Sequence, residues 1–415
     1  MLRLLIIADD FTGALDTGVQ FASCGAITRV ITDRNASLAD YANGCEVLVV
    51  NAETRHLSGN EAYRYVSDIV TQAVNLDIPH ILKKTDSALR GNIGAELTAL
   101  LEASGETQLP FLPAFPQMRR CTVAGVHYID GVPVAESVFG KDPFEPVTHS
   151  KISDVIACQS SVTVTSCTAN APVSKEPGIL VYDASSVEDL AAEAQLLHKE
   201  SKLRIMAGCA GLGSVLPKLL NIGNGKPTPM PVMDPNFLVI CGSVNPITVA
   251  QCDYAEEEGF QRIRLHPEQK LDPAYWDSRE GQQKFQNLQT LINQYRYRII
   301  DTNDSGSNKP TADYAAAHGM TIEDVRQAVS RSIGHLVSRL FSNPNLGTLL
   351  ITGGDTLLQC MNYMSIPEIE PLGELDRGVV LSRFSYQGYT RYVISKSGGF
   401  GKEDLFVALT RQLTS

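Results

Sequence analysis

The 415-residue sequence lacks several features that would assign it to a familiar class. It has no Cys-x-x-Cys pair, no histidines paired at metal-ligand spacing and no apolar run near the roughly eighteen residues that cross a bilayer. Nine cysteines are scattered singly, which predicts reduced core thiols in a cytoplasmic protein. The first apolar run spans about five residues and ends at two acids, so it indicates a buried strand rather than a signal segment.

Basic charge is also in short supply. Lysine and arginine number 35 against 46 acidic residues, which gives a net charge of −11. A general nucleic-acid-binding protein needs a basic face that displaces counterions from phosphate. The composition therefore predicts neither a nucleic-acid partner nor a membrane partner, although a local basic pocket stays open. The oligomeric state, including a homo-oligomer, also stays open.

The length exceeds what one hydrophobic core usually organises, so two α/β domains are expected. Apolar runs alternate with longer helical patterns, which predicts two doubly wound domains with mainly parallel sheets and an active site in the cleft between them. Residues 222–235 contain four prolines and two glycines and are the predicted linker. The predicted domains are residues 1–221 and 236–415.

The individual strands follow from the same alternation. A β-hairpin is expected around the Asp130-Gly131 turn, and a helix is expected to open near Arg90 with Asp86 or Ser87 as its cap. The predicted strands are residues 3–8, 46–50, 79–83, 109–112 and 178–182, then 237–241, 261–265, 297–301, 347–352, 378–384 and 391–395.

Charged side chains follow three predicted strands of the first domain. Asp9 follows the first and Arg55 the second, while Lys83 and Lys84 end the third. Because ligands bind beyond the carboxyl ends of parallel strands, these groups are expected to surround one small molecule with hydroxyls and a carboxylate. Simpler roles stay open: an acid that caps a helix, a surface arginine, or solvated lysines.

Glycines follow a strand of the second domain at Gly353 and Gly354, and a second pair occurs at 398–399. Glycines let backbone N–H groups approach an anion, and a helix N-terminus adds partial positive charge. This pattern predicts a phosphate cradle, although a plain strand-helix corner stays open. Neither turn matches the P-loop or the dinucleotide fingerprint, which disfavours a P-loop NTPase and an ordinary dehydrogenase.

Several segments in this order resemble the four-carbon acid sugar kinases, whose members phosphorylate threonate, erythronate or 3-oxo-tetronate. The resemblance runs along essentially the whole chain and is closest to the threonate and erythronate members. It rests on residues 8–16, 83–92, 113–117, 242–248, 352–356 and 396–401.

The resemblance implies that the N-terminal domain holds the sugar acid and the C-terminal domain holds ATP. It implies substrate contacts from Asp9, Arg55, Lys83, Lys84, Thr85 and Asp86. It implies ATP contacts from Ser243, His266, Gly353, Gly354, Asp355, Thr356 and Gly399.

We therefore expect an ATP- and Mg²⁺-dependent kinase that acts on the 4-hydroxyl of D-threonate or D-erythronate. Arg55 and one lysine would clamp the carboxylate, and Asp86 and Asp355 are both candidates for the catalytic base. The metal ligands stay unassigned. The alternatives are a 3-oxo-tetronate kinase, a sugar phosphatase of the haloacid-dehalogenase type and a non-catalytic sugar-acid sensor.

Overall fold

The computed structural model describes residues 1–142 and 145–414. It divides into two compact units, Met1–Thr228 and Pro229–Ser415, and the boundary lies inside the proline-rich segment 222–235. No helix in the described part of the chain combines the length and the apolar character that a bilayer span requires.

The first unit is an α/β unit with a parallel sheet. Its core strands are buried along their whole length because helices cover both faces of the sheet. The strands are β1 (Leu4–Ala8), β2 (Thr28–Ile31), β3 (Val47–Asn51), β4 (His80–Lys84), β5 (Gln108–Leu112), β6 (Arg120–Val123), β7 (Val126–Ile129), β8 (Val132–Pro133), β9 (Val164–Cys167), β10 (Gly178–Tyr182) and β11 (Ile205–Gly208).

The order across this sheet is β2-β3-β1-β4-β11-β5-β10-β9, and each of these neighbouring pairs is parallel. The expected strands are confirmed, whereas β2, β9 and β11, each four residues long, were not predicted. The helices are α1 (Phe11–Ala22), α2 (Leu38–Tyr41), α3 (Gly59–Asn75), α4 (Ile93–Ser104), α5 (Ile152–Ala157), α6 (Val187–Lys199) and α7 (Ala210–Leu219).

Two helix starts bear on the functional site. Asp10 caps α1, because its carboxylate accepts a hydrogen bond of 2.8 Å from the Gly13 N–H. The helix expected near Arg90 begins at Ile93 instead, so the prediction that Asp86 or Ser87 caps it is wrong. Asp86 accepts from two N–H groups of the turn that precedes this helix.

The expected hairpin is confirmed and has a second turn. Strands β6, β7 and β8 form an antiparallel sheet. Asp130 and Gly131 have φ of 52° and 82° between β7 and β8, and Ala124 and Gly125 have φ of 51° and 72° between β6 and β7. Positive φ at both central residues is the geometry of a tight hairpin turn.

The second unit has a mixed sheet of order β13-β14-β12-β15-β18-β17-β16. The pairs from β13 to β18 are parallel, and β16, β17 and β18 pair antiparallel. The strands are β12 (Phe237–Cys241), β13 (Gln261–Arg264), β14 (Tyr297–Asp301), β15 (Thr348–Thr352), β16 (Glu368–Asp376), β17 (Val379–Tyr386) and β18 (Tyr389–Lys396).

In the second unit a helix follows each parallel strand along the chain, as in a doubly wound domain. The antiparallel end departs from that pattern because Gln387 and Gly388 form a turn too short for a crossover helix. The helices are α8 (Pro246–Glu257), α9 (Pro267–Leu271), α10 (Arg279–Gln294), α11 (Lys309–Ala317), α12 (Ile322–Leu340), α13 (Gly354–Tyr363) and α14 (Leu405–Thr414).

All nine cysteines are free thiols, as expected. The expectation that they belong to the core is wrong for Cys158, which is exposed, and for Cys24 and Cys121, which are half-buried.

Candidate active site

In the first unit, Arg55 gathers acidic side chains from the ends of β1 and β4. Its Nε and Nη2 donate to Asp9 Oδ2 at 2.8 and 2.6 Å, and its Nη1 donates to Asp10 Oδ2 at 2.8 Å. Its Nη2 also lies 3.5 Å from Asp86 Oδ1. Three carboxylates therefore surround one guanidinium, which leaves Arg55 no surplus positive charge for a further anion.

Lys84 joins this group from the last position of β4. Its Nζ lies 3.7 Å from Asp9 Oδ1, and its side chain is almost fully buried. A Cβ atom added to Gly13 would lie 2.5 Å from both Lys84 Nζ and Asp10 Oδ1. Glycine at this position therefore lets the lysine reach the start of α1.

Arg90 completes the arrangement on the other side of Asp86. Its Nε and Nη2 donate to the two Asp86 carboxylate oxygens at 3.0 and 2.9 Å, and its Nη1 donates to Asp142 at 3.3 Å. We call Asp9, Asp10, Arg55, Lys84, Asp86 and Arg90 the charged cluster.

The cluster holds its acids ionised. Burial alone would raise the pKa of Asp9, but Arg55 and Lys84 outweigh it and lower that pKa. Burial would likewise raise the pKa of Asp86, but Arg90 and Arg55 bring it well below its ordinary value. Both carboxylates therefore present permanent hydrogen-bond acceptors at neutral pH.

Two predicted contact residues are fully buried. Lys83 is fully buried, pairs with Glu96 of α4 at 3.0 Å and donates to the Lys84 carbonyl oxygen at 2.9 Å. Because side chains alternate along a strand, Lys83 and Lys84 point to opposite faces of the sheet. Thr85 is also fully buried, and its N–H donates to the Gly208 carbonyl oxygen. The buried ion pair of Lys83 does not fit the expectation that its side chain contacts a ligand, whereas the contact expected of Thr85 stays a prediction.

A cavity of about 290 Å³ borders the cluster. Arg55 and Arg90 line one side of it, and residues 145–149 with Gln159 line the other. The charged cluster therefore has an open space beside it in which a small ligand can lie.

In the second unit, three loops meet at the carboxyl ends of β12, β15 and β18. A Cβ on Gly242 would lie 2.1 Å from Thr356 Oγ1, and a Cβ on Gly398 would lie 2.7 Å from Ser243 Oγ. The Gly353 N–H donates to the Lys396 carbonyl oxygen at 3.1 Å. The glycines are thus what allows the loops to approach. We call residues 242–243, 353–356 and 398–399 the glycine cradle.

The cradle presents the start of α13. Gly353 has φ of 94°, a conformation that favours glycine, and α13 begins at the next residue. The first N–H groups of a helix have no partner within it, so those of Gly354, Asp355 and Thr356 are donors for an anion. The N–H of Gly353 is already used, and the Thr356 side chain is buried against Gly242.

Lys396 holds the loop at residues 397–398 of the cradle in place through hydrogen bonds. Its buried ammonium group donates to Thr248 Oγ1 at 2.9 Å and to the carbonyl oxygens of Ser397 and Gly398 at 3.0 and 3.2 Å. The Thr248 hydroxyl in turn donates a hydrogen bond of 2.7 Å to the Gly398 carbonyl oxygen. Burial lowers the pKa of Lys396 to about 8.

The remaining predicted nucleotide residues differ in their position. Asp355 is 40 % exposed and pairs with Arg326 of α12. Gly399 is exposed at the rim of the cradle. His266 is exposed at the start of α9 beyond the edge strand β13, and its N–H donates to Gln269. The described contacts do not join His266 to the cradle.

Several residues of these two sites escaped the sequence reasoning. Arg90, Gly242 and Lys396 lie inside the segments that carried the family resemblance, and Lys396 ends an apolar strand as Lys84 does. That shared position was a usable signal for Lys396. Gly242 gave none, because its role depends on a contact with Thr356 over a hundred residues away.

Comparison with known proteins links the two units to known domains. Residues 4–216 match the model of a sugar-binding N-terminal domain, and residues 238–406 match that of a nucleotide-binding C-terminal domain. A D-threonate kinase of Salmonella typhimurium is 28 % identical over 97 % of this chain and 96 % of its own length. The chain belongs to the four-carbon acid sugar kinase family. It is therefore an ATP-dependent phosphotransferase.

Other members of the sugar-acid kinase family align over similar lengths. A D-erythronate kinase of Heliobacterium modesticaldum is 25 % identical over 97 % of this chain and 95 % of its own. A 3-oxo-tetronate kinase of Pseudomonas fluorescens is 23 % identical over 98 % and 96 %. Crystal structures of proteins from Salmonella typhimurium LT2 and Haemophilus influenzae share the fold of this kinase. Their TM-scores are 0.78 and 0.72, at 20 % and 19 % identity, and each covers 99 % of this chain and 100 % of its own.

Proposed function

We propose that this kinase transfers the γ-phosphoryl group of ATP to the 4-hydroxyl of D-threonate or D-erythronate. The observation that carries the proposal is the charged cluster at the carboxyl ends of β1 and β4, beside an open cavity. Ionised acids next to cations suit a ligand with several hydroxyls and one carboxylate. Asp9 and Asp86 would accept hydrogen bonds from the hydroxyls, while Arg55 and Lys84 hold those acids in place.

The glycine cradle would hold the phosphates of ATP. The free N–H groups at the start of α13 and the partial positive charge of that helix both favour an anion. Ser243 and Gly399 lie at the same rim, so they would contact the nucleotide as well. His266 lies by the edge strand β13, and no described contact joins it to the cradle, so its contact with ATP stays a prediction.

A divalent cation fits the cradle at one residue. In the described part of the chain, no group of three or more His, Cys, Asp or Glu side chains could hold a metal alone. Mg²⁺ that arrives with a nucleotide needs only one or two protein carboxylates, and Asp355 stands beside the phosphate donors. When bound there, the ion would neutralise charge on the phosphoryl group that is transferred.

This division separates the two candidate bases. Asp86 lies in the charged cluster and would orient the attacking hydroxyl by accepting its hydrogen. Its depressed pKa makes it a weak base, which suffices because phosphoryl transfer depends on positioning and charge more than on proton removal. Asp355 would serve the metal. The expected cleft between the domains remains a prediction.

The test is turnover of a defined panel. The purified protein is incubated with Mg-ATP and D-threonate, L-threonate, D-erythronate or 3-oxo-tetronate, and ADP release is measured. Phosphorus and carbon NMR of the product then locates the new phosphate ester. We expect the highest kcat/KM with D-threonate or D-erythronate and a 4-phosphate product. Faster turnover of 3-oxo-tetronate would replace the proposed substrate, and no ADP with any acid would contradict the proposal.

A further inference from the structure

Arg120 differs from the other cations around the proposed acid site, because no carboxylate in the described part of the chain forms an ion pair with it. Arg55, Lys84 and Arg90 each contact at least one aspartate. Among the described residues, the hydrogen-bond partner of the Arg120 side chain is the Ser87 hydroxyl. A guanidinium has five N–H donors, so most of those on Arg120 stay available to a ligand.

The placement of Arg120 is nevertheless well fixed. Its backbone exchanges hydrogen bonds of 2.7 and 3.1 Å with Phe115, and its guanidinium lies over the Phe139 ring at 5.2 Å from the ring centre. Arg90 lies over the same ring, also at 5.2 Å. Arg120 is thus packed next to Arg90, at the rim of the charged cluster, and is half-buried.

The hairpin that carries Arg120 also forms a hydrogen bond with the loop after β4, which contains Asp86 of the charged cluster. His127 on β7 is fully buried, and its Nε2 lies 3.0 Å from the Ser87 carbonyl oxygen. A carbonyl oxygen only accepts, so Nε2 carries the hydrogen, and Nδ1 accepts from Thr122 Oγ1 at 3.1 Å. Ser87 follows Asp86 directly. The hairpin therefore fixes the Arg120 guanidinium relative to that carboxylate.

Electrostatics point the same way. Burial lowers the pKa of Arg120, and the attraction of Asp86 does not make up for it. Burial also tends to lower the pKa of Arg55 and Arg90, yet their aspartates raise both above the ordinary value. Even a half-buried cation loses part of its hydration without gaining a contacting anion, and an incoming carboxylate would offset that loss.

We propose that Arg120 is the residue that binds the carboxylate of the sugar acid, in place of the Arg55 clamp expected from the sequence. The inference rests on the proposed function, because it takes a sugar acid as the ligand. A planar fork aimed at a carboxylate makes paired, charge-assisted hydrogen bonds, which select for an acid over a neutral polyol derivative. Arg55 then orders the aspartates, and Arg120 recognises the charge of the ligand.

The test compares D-threonate with D-threonamide, which keeps the hydroxyls and replaces the carboxylate with a neutral amide. In Arg120→Ala, we expect kcat/KM for D-threonate to fall roughly 100- to 1000-fold, while kcat/KM for the amide changes less than about threefold. Arg120→Lys keeps the charge without the fork and should lose activity only with the acid, to a smaller extent. Added methylguanidinium should restore part of the acid activity of Arg120→Ala.

Arg119→Ala is the matched control. Arg119 precedes Arg120, but its side chain is 76 % exposed and pairs with Asp130 at 3.2 Å. This variant should treat both compounds as the unchanged protein does. Equal losses with acid and amide in Arg120→Ala, or a preserved preference for the acid, would overturn the inference.

Failure of the proposed function gives a different result. If the unchanged protein turns over neither compound, calorimetric titration with D-threonate in the absence of ATP carries the test of Arg120. Binding that is lost in Arg120→Ala and retained in Arg119→Ala supports the carboxylate contact, and binding that survives in both contradicts it. Should Arg120→Ala fail to fold, Arg120→Lys is titrated in its place.

Discussion

The two candidate sites use opposite means at equivalent places in their sheets. Both lie beyond the carboxyl ends of parallel strands, where an open α/β sheet offers room for a ligand. The charged cluster is made of long ionised side chains that order one another, whereas the glycine cradle is made of backbone that comes close because side chains are absent. The first site should therefore be sensitive to removing atoms, and the second to adding them.

The largest effect should come from Arg55→Ala. It leaves Asp9 and Asp10 without their shared cation, so we expect kcat/KM for the sugar acid to fall by about 1000-fold or more. The affinity for ADP, measured by calorimetry, should stay within about twofold. Arg55→Lys should give an intermediate loss because it keeps the charge and loses the fork. Weakened ADP binding with normal acid affinity would reverse the assignment of the two sites.

Addition of a single methyl group tests the cradle. In Gly242→Ala, the new Cβ would collide with Thr356 Oγ1, and we expect ADP affinity to fall roughly 10- to 100-fold because the loops are forced apart. Removing that oxygen in the double variant with Thr356→Ala should recover part of the loss.

Gly259→Ala is the control for that change. Gly259 has φ of 96° in open space, so this variant should lose stability on the order of 1 kcal/mol and bind ADP normally. Calorimetry with ADP and urea unfolding separate the two effects. Equal ADP affinity in Gly242→Ala and Gly259→Ala would remove the cradle from the nucleotide site.

A smaller effect separates the sites by pH. Lys396 uses three hydrogens to hold the cradle, and its pKa is lowered to about 8. The charged form exists below that pH and is lost above it, so ADP affinity should fall about tenfold between pH 7 and pH 9. The nearby Cys252 thiol stays protonated there, since its contact with Cys241 and its burial raise its pKa.

The charge of these five members of the charged cluster, Asp9, Asp86, Arg55, Lys84 and Arg90, should not change over the same interval. The pKa values of Asp9 and Asp86 are lowered and those of Arg55, Lys84 and Arg90 are raised, so all five groups keep their charges. Lys396→Met should bind ADP weakly at every pH in the range. A flat ADP profile in the unchanged protein, or a falling one in Lys396→Met, would contradict this role.

The sequence predicted the two-domain α/β organisation, because buried parallel strands leave a strong local signal. Both proposed sites follow such strands, and their residues stay a prediction. It could not predict partners that come from distant segments. The alternation of side chains along a strand predicts that Lys83 and Lys84 point to opposite faces of the sheet. Only the fold shows that Glu96 lies on the face of Lys83 and pairs with it. Arg120 lies on the hairpin, at the start of β6. Neither spacing nor composition distinguishes it in the sequence from its exposed neighbour Arg119.

The buried pair of Lys83 and Glu96 has a consequence for anyone who exchanges parts between such kinases. Loss of either partner strands the other charge in the core, at a cost of about 3–5 kcal/mol, whereas replacing both with apolar residues of similar volume is often tolerated. The two residues lie on different elements, β4 and α4. A chimera that takes β4 from one kinase and α4 from another therefore separates the two partners of this buried ion pair. The residues at positions 83 and 96 should be exchanged together or both be kept.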